Sequence, residues 1–157
     1  MNALALAVLV VALHARLATQ TPDWAAVTRA IGLIWATLVL GAGMIGDVAV
    51  KQAANLFAPD PQRAAEVWSL LHSVELGLGG GNEIAGAVWI LLVSIAGLVG
   101  RSLGKITIAL GFLTGAGGIA TVVPAIGDVA GAVFGLGAIA WFIAVGLSMI
   151  RDGHLAN

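Results

Sequence analysis

Long apolar runs broken by short polar links set the pattern of this chain. Five runs stand out, over residues approximately 2–18, 29–51, 82–100, 103–123 and 128–150. Each meets or approaches the roughly 17 to 25 residues needed to cross a hydrocarbon layer as a helix. The first is the shortest and is close in length to a signal-peptide core. No basic side chain precedes His14, however, and small residues at a cleavage spacing are poor around Arg16, so it reads as a membrane anchor.

The one long connection, 55–81, has a pattern of its own. Pro59-Asp60-Pro61 places a capping carboxylate directly before a proline, the preferred first residue of a helix. A short helix over approximately 61–76 is therefore expected. Ala64, Val67, Trp68, Leu71 and Val74 recur at helical spacing while Arg63, Glu66 and Ser73 fall elsewhere, the pattern of a helix lying on the outer interface. Leu70, Leu76 and Leu78 leave the polar face incomplete, so a re-entrant half-helix is the alternative. Gly77-Leu-Gly-Gly-Gly-Asn-Glu83 then interrupts the helix, and Asn82 and Glu83 suit the start of the next one, where free amides favour a carboxylate.

The expected fold class is thus an all-α integral membrane protein: one domain over 1–157, an antiparallel bundle of five transmembrane helices with a short outer interfacial or re-entrant helix. Composition agrees. Of 157 residues, 60% are hydrophobic and 10% charged, against roughly a quarter charged in soluble domains, and the mean hydropathy is +1.04. Charge is also sorted. With five spans, the links after the first, third and fifth hold Arg16, Arg29, Arg101, Lys105 and Arg151 against Asp23 and Asp152. The opposite links hold Lys51 and Arg63 against Asp47, Asp60, Glu66, Glu75, Glu83 and Asp128. Basic residues near span ends stay in the cytoplasm, so the expected placement is a bacterial cytoplasmic membrane with the amino terminus outside and the carboxyl terminus inside.

Glycine spacing predicts packing faces. Gly127, Gly131 and Gly135 recur every four residues on the last span, and Gly111 and Gly115 do so on the one before. Small residues let backbones approach closely, which matters in lipid because apolar burial gives little driving force there. Trp24 and Trp68 fit interfacial belts, whereas Trp35, Trp89 and Trp141 lie at span depth and are expected to pack between helices or face lipid.

Candidate chemistry is confined to a few ionisable side chains. Asp47, His72, Glu75, Glu83 and Asp128 all fall on the outer side and form a candidate ligand or cation site. Each has a plainer explanation: Asp47 can pair with Lys51 four residues on, Glu83 fits a helix start, and Asp128 fits a cap after Pro124 and Gly127. His72 and Glu75 share a helix face at a spacing used by metal ligands and proton relays, but no second histidine accompanies them. His14 and His154 belong to the other side. The chain has no cysteine or tyrosine, and no nucleophile elbow, phosphate-binding loop or paired-histidine zinc motif. No catalytic residue, metal or cofactor is expected, and no basic tract suggests nucleic acid.

Gly77-Leu-Gly-Gly-Gly-Asn-Glu83, Trp89-Ile-Leu-Leu-Val-Ser94, Val122-Val-Pro-Ala125 and Phe134-Gly-Leu-Gly137 together resemble a group of bacterial multi-pass membrane proteins classed as a domain of unknown function. The resemblance covers about the last two thirds of the chain and implies a further span ahead of the region where this sequence begins. It implies no reaction, cofactor or catalytic residue. Two functional classes follow from the residues. The first is a non-enzymatic accessory protein that associates with lipid, a lipophilic ligand, another membrane protein or a second copy through its glycine-lined faces. The alternative is a small-solute or cation carrier using the acidic outer rim. The first is preferred, because no charge is compelled to sit at the bilayer midplane, where carrier sites lie.

Overall fold

The computed structural model describes residues 3–80 and 83–155, and among these it is all helix, without a strand. Six helices follow one another: α1 (Ala3–Leu17), α2 (Pro22–Phe57), α3 (Pro61–Glu75), α4 (Ile84–Val99), α5 (Lys105–Ala120) and α6 (Gly127–Leu155), with a π-helical turn at Leu76–Gly80. Two of them, α2 and α6, are long and apolar enough to cross a membrane, whereas α1, α4 and α5 are apolar but only 15 or 16 residues long.

The expected second span is longer than its apolar run. Pro22 opens α2 and no proline recurs before Pro59, so the helix runs 36 residues, about 54 Å at 1.5 Å per residue. Its glycines lower helix propensity without stopping it, and two of them, Gly32 and Gly46, receive Trp89 and Glu75 from neighbouring helices. As expected, Asp60 caps α3: its carboxylate accepts from the Arg63 backbone N–H at 3.0 Å, with Pro61 in the first turn. The short helix does not lie apart, however. It folds back antiparallel along the second half of α2, with Ala64 buried and Glu75 and Leu78 over Gly46 and Gly41. The reason lies on α2, where Ala42, Gly46, Ala49 and Ala53 make a row of small residues that lets α3 approach. Asn82, expected at the start of α4, is outside the described residues.

Beyond the π turn the chain continues in the same direction. α4 runs antiparallel to the first half of α2, so that α3 and α4 together retrace its whole length. Trp35 lies against Gly86, Trp89 against Gly32, and Gln20 and Thr21 against Gly100. α4 is the central helix: Gly86, Ala87, Trp89, Ile90, Val93, Ser94, Ala96 and Gly97 are buried, a face too wide for a single neighbour. α4 packs between α2 and α5; α1 lies on α2 and adds Leu6, Val10, Leu13 and Leu17 to the same core, and α6 lies on α5. At the centre, three tryptophans from three helices meet. Trp89 has its ring centre 5.5 Å from both Trp35 and Trp141, and Phe142 lies 5.4 Å from Trp141. Such ring pairs contribute about 0.5–1.5 kcal/mol each beyond burial.

Glycine makes these approaches possible, though not all at the expected positions. Gly111 faces Ser94 and Trp141, and Gly115 faces Leu91 and the Ala87 carbonyl, as the spacing suggested. Gly127 makes only ordinary contact with the Thr121 carbonyl. Gly131 and Gly135 have no neighbour within 4 Å of where a Cβ would stand, so the expected row on α6 is not a packing face. The packing face of α6 carries Ala130, Phe134, Ala138, Trp141 and Val145, with Gly137 against Thr114. Large side chains define that stripe, and Gly131 and Gly135, four apart beside it, look outward.

A substitution pair separates the two kinds of glycine. A Cβ on Gly118 would come within 2.5 Å of the Ala87 Cβ and 2.6 Å of Phe134. Gly118→Leu is expected to destabilise the purified protein by about 3 kcal/mol or more, since overpacking alone costs about 1–3 kcal/mol and here the clash is with a helix neighbour. Gly131→Leu should leave the thermal unfolding midpoint within about 2 °C of the parent. Equal losses would contradict the packing described.

Candidate functional site

The antiparallel arrangement carries charge to opposite ends of the bundle. At one end Glu83, the residue before α4, and Asp128, in the first turn of α6, line a common recess of about 570 Å³. Thr121 and Pro124 from the α5–α6 link form its rim, and Gly131, Phe134 and Gly135 form the wall along α6. The glycines that fail to pack a helix therefore leave room for this hollow. Glu83 is half-buried and Asp128 exposed. Neither side chain forms a capping hydrogen bond or ion pair among the described residues, so the two carboxylates face the recess without a neutralising partner. What such a hollow can do chemically is attract a cation or a basic group.

The other three candidates lie elsewhere. His72 Nδ1 is 2.9 Å from Glu75 Oε2, and the His72 ring stacks on Trp68 with centres 5.4 Å apart. Glu75 turns toward α2, its carboxyl carbon 3.7 Å from where a Gly46 Cβ would be, which is ordinary contact distance. Asp47 is exposed, outside the recess, and no ion pair joins it to Lys51. The five candidates thus divide into a pair in a recess, a bonded pair on α3 and an isolated carboxylate, instead of one shared rim. Among the described residues no group of three or more His, Asp and Glu side chains could hold a metal ion.

The opposite end is basic, and sequence reading missed its detail. The α1–α2 and α4–α5 links abut there. Gly100 allows it, because a Cβ at that position would stand 3.0 Å from Gln20 and 3.1 Å from Thr21. Arg16, in the last turn of α1, donates from Nε and Nη2 to the Ser102 carbonyl at 3.1 and 2.7 Å, tying the first helix to a link 86 residues away. A recess of about 540 Å³ lies between the two links, lined by Arg16, Thr19, Gln20, Arg101 and Ser102 with Gly100, Leu103 and Gly104. Lys105 and Arg151 line a neighbouring, more apolar hollow between α5 and α6. The signal was present in Gly100-Arg-Ser-Leu-Gly104, a link with arginine where glycine is usual, yet its partner Arg16 could not be matched to it from spacing.

Whether Glu83 and Asp128 act as a pair can be measured in stability. Glu83→Gln and Asp128→Asn are expected to couple non-additively at low salt, and the coupling should shrink as salt is added. Asp47→Asn should add independently to either. Strict additivity of Glu83→Gln with Asp128→Asn at low salt would separate the two carboxylates. Comparison with protein-family models, curated proteins and solved structures gives no match, so the functional reading rests on these residues and their geometry alone.

Proposed function

We propose that the chain is a non-enzymatic membrane protein whose five helices α1, α2, α4, α5 and α6 cross a bacterial cytoplasmic membrane, and that it works by binding lipid, a lipophilic ligand or another membrane protein. The observation that carries this reading is the filled centre of the bundle. Trp89, Trp141, Ile90, Val93 and Val145 are each at most 1% exposed there, so the middle is occupied by interlocked side chains instead of a path for solute. Features of the surface support the membrane placement. Val8 and Val11 on α1, Ile106 and Leu113 on α5, and Leu136, Ile139, Ile143 and Leu147 on α6 are all exposed, an apolar belt that water would not tolerate. The charge bias toward Arg16, Arg29, Arg101, Lys105 and Arg151 at one end supports a cytoplasmic position for that end.

A carrier function has one observation in its favour, the recess shared by Glu83 and Asp128. It lies at the end of the helices, and the ring cluster stands between it and the basic end. Purified protein reconstituted into liposomes should show no proton or monovalent-cation flux above protein-free vesicles. Flux abolished by Glu83→Gln would replace the binding reading with the carrier. Topology has its own test. An impermeant thiol reagent applied to intact cells with the outer membrane opened should label Gln62→Cys, exposed on α3, and should reach Gly104→Cys only after lysis. The reverse pattern would invert the orientation.

A further inference from the structure

We infer that the recess at the basic end is a binding site for the phosphate of an anionic phospholipid, an inference that rests on the membrane-binding reading above. Its walls are fixed. Gly100 seats one link against the other, and the bidentate bond from Arg16 to the Ser102 carbonyl holds them in register. Two guanidinium side chains, Arg16 and Arg101, line the recess together with the hydroxyl of Thr19 and the amide of Gln20, and among the described residues no acidic side chain does. Ser102 adds a hydroxyl oxygen that is buried and has no hydrogen-bond partner. An anion with several acceptor oxygens matches that donor set, and guanidinium suits phosphate geometry in particular.

The backbone at Arg101 supplies an independent reason. α4 ends in a double-bonded stop: the Ser102 N–H donates to the Gly97 carbonyl at 3.0 Å and the Arg101 N–H to that of Leu98 at 3.3 Å. This motif puts the residue after the cap in the left-handed region, where glycine is usual because a Cβ is strained. Here that residue is Arg101, with φ of 51°, the one non-glycine with positive φ among the described residues. Its side chain is exposed and makes no hydrogen bond or ion pair among the described residues. An arginine held in a conformation that disfavours it, at the mouth of a basic recess, is a residue kept for what its guanidinium meets.

Lipid is favoured over a soluble phosphate by the surroundings. Leu98, Val99 and Ile106, which flank the link on α4 and α5, are 55%, 61% and 76% exposed. A headgroup seated between the arginines would lay its acyl chains along this apolar surface, and basic recesses between helix ends on the cytoplasmic side are suited to anionic headgroups.

The test uses the full chain, delipidated in a neutral detergent. It is titrated with phosphatidylglycerol, with phosphatidylcholine of the same acyl chains and with inorganic phosphate, read by native mass spectrometry and thermal unfolding. Phosphatidylglycerol should be retained and raise the melting temperature, and the other two should do so weakly or not at all. Arg101→Gly should weaken phosphatidylglycerol binding at least about tenfold, the loss expected for a charge-assisted hydrogen bond. It should leave the lipid-free melting temperature unchanged or higher, because glycine is at ease in that backbone. Arg101→Lys should keep part of the affinity. Arg29→Gln, which removes an exposed charge from the same end but outside the recess, should change binding less than threefold. Equal losses in Arg101→Gly and Arg29→Gln would reduce the effect to diffuse surface charge and overturn the site. Inorganic phosphate competing as well as the lipid would make the ligand a soluble anion and overturn the lipid assignment. Equal retention of both lipids, insensitive to Arg101→Gly, would sink this inference and leave the membrane-binding reading standing. A protein that holds neither lipid nor any protein partner would end both.

Discussion

Everything in this bundle depends on how closely α4 can approach its neighbours. Where two backbones must come together, glycine stands on one side and a large or polar group on the other: Gly32 under Trp89, Gly86 under Trp35, Gly118 under Phe134, Gly111 beside Ser94 and Trp141. The tryptophans then fill the space that the glycines vacate, and the ring cluster of Trp35, Trp89, Trp141 and Phe142 holds three helices at one level. Fitted surfaces of this kind attract through dispersion, which does not depend on water being expelled.

Much of the architecture is legible from the spacing of apolar residues. The existence of the helices, the cap at Asp60 and the short links that make α4, α5 and α6 antiparallel neighbours all follow from local rules that act over four to ten residues. The failures are non-local. The α2 helix outruns its apolar stretch because a helix ends at a proline, and not where hydrophobicity fades. The pairing of α3 with α2 depends on a row of small residues some twenty positions upstream, in a segment read only as a span. The spacing of Gly131 and Gly135 misleads for a related reason. A four-residue glycine period describes a smooth stripe without saying whether a helix or a hollow lies against it, and the neighbouring stripe through Phe134 and Trp141 has the bulk to interlock.

The candidate site shows the same division. Helix parity brings Glu83 and Asp128 to one end, as counting spans implies, and they do share a recess. Parity says nothing of lateral position, and so Asp47 and the His72–Glu75 pair, on the same side by count, stand on the α2–α3 hairpin instead. At the basic end the missing information was a contact across 86 residues. No periodicity in the sequence encodes the bond from Arg16 to the Ser102 carbonyl, although each residue by itself marks a helix end.

The ring cluster also joins the two halves of the chain at one point. α4, α5 and α6 meet across links of only a few residues, so their mutual contacts close quickly and at small entropic cost. Trp35 comes from α2, separated from Trp89 by the entire α3 hairpin and the π turn. Trp141 is as far from Trp89 on the other side, across α5 and both of its links, so the two contacts close loops of similar length. The indole cluster therefore forms only once both halves of the chain have docked on α4, and tryptophan emission is expected to report the completed bundle and not either half alone.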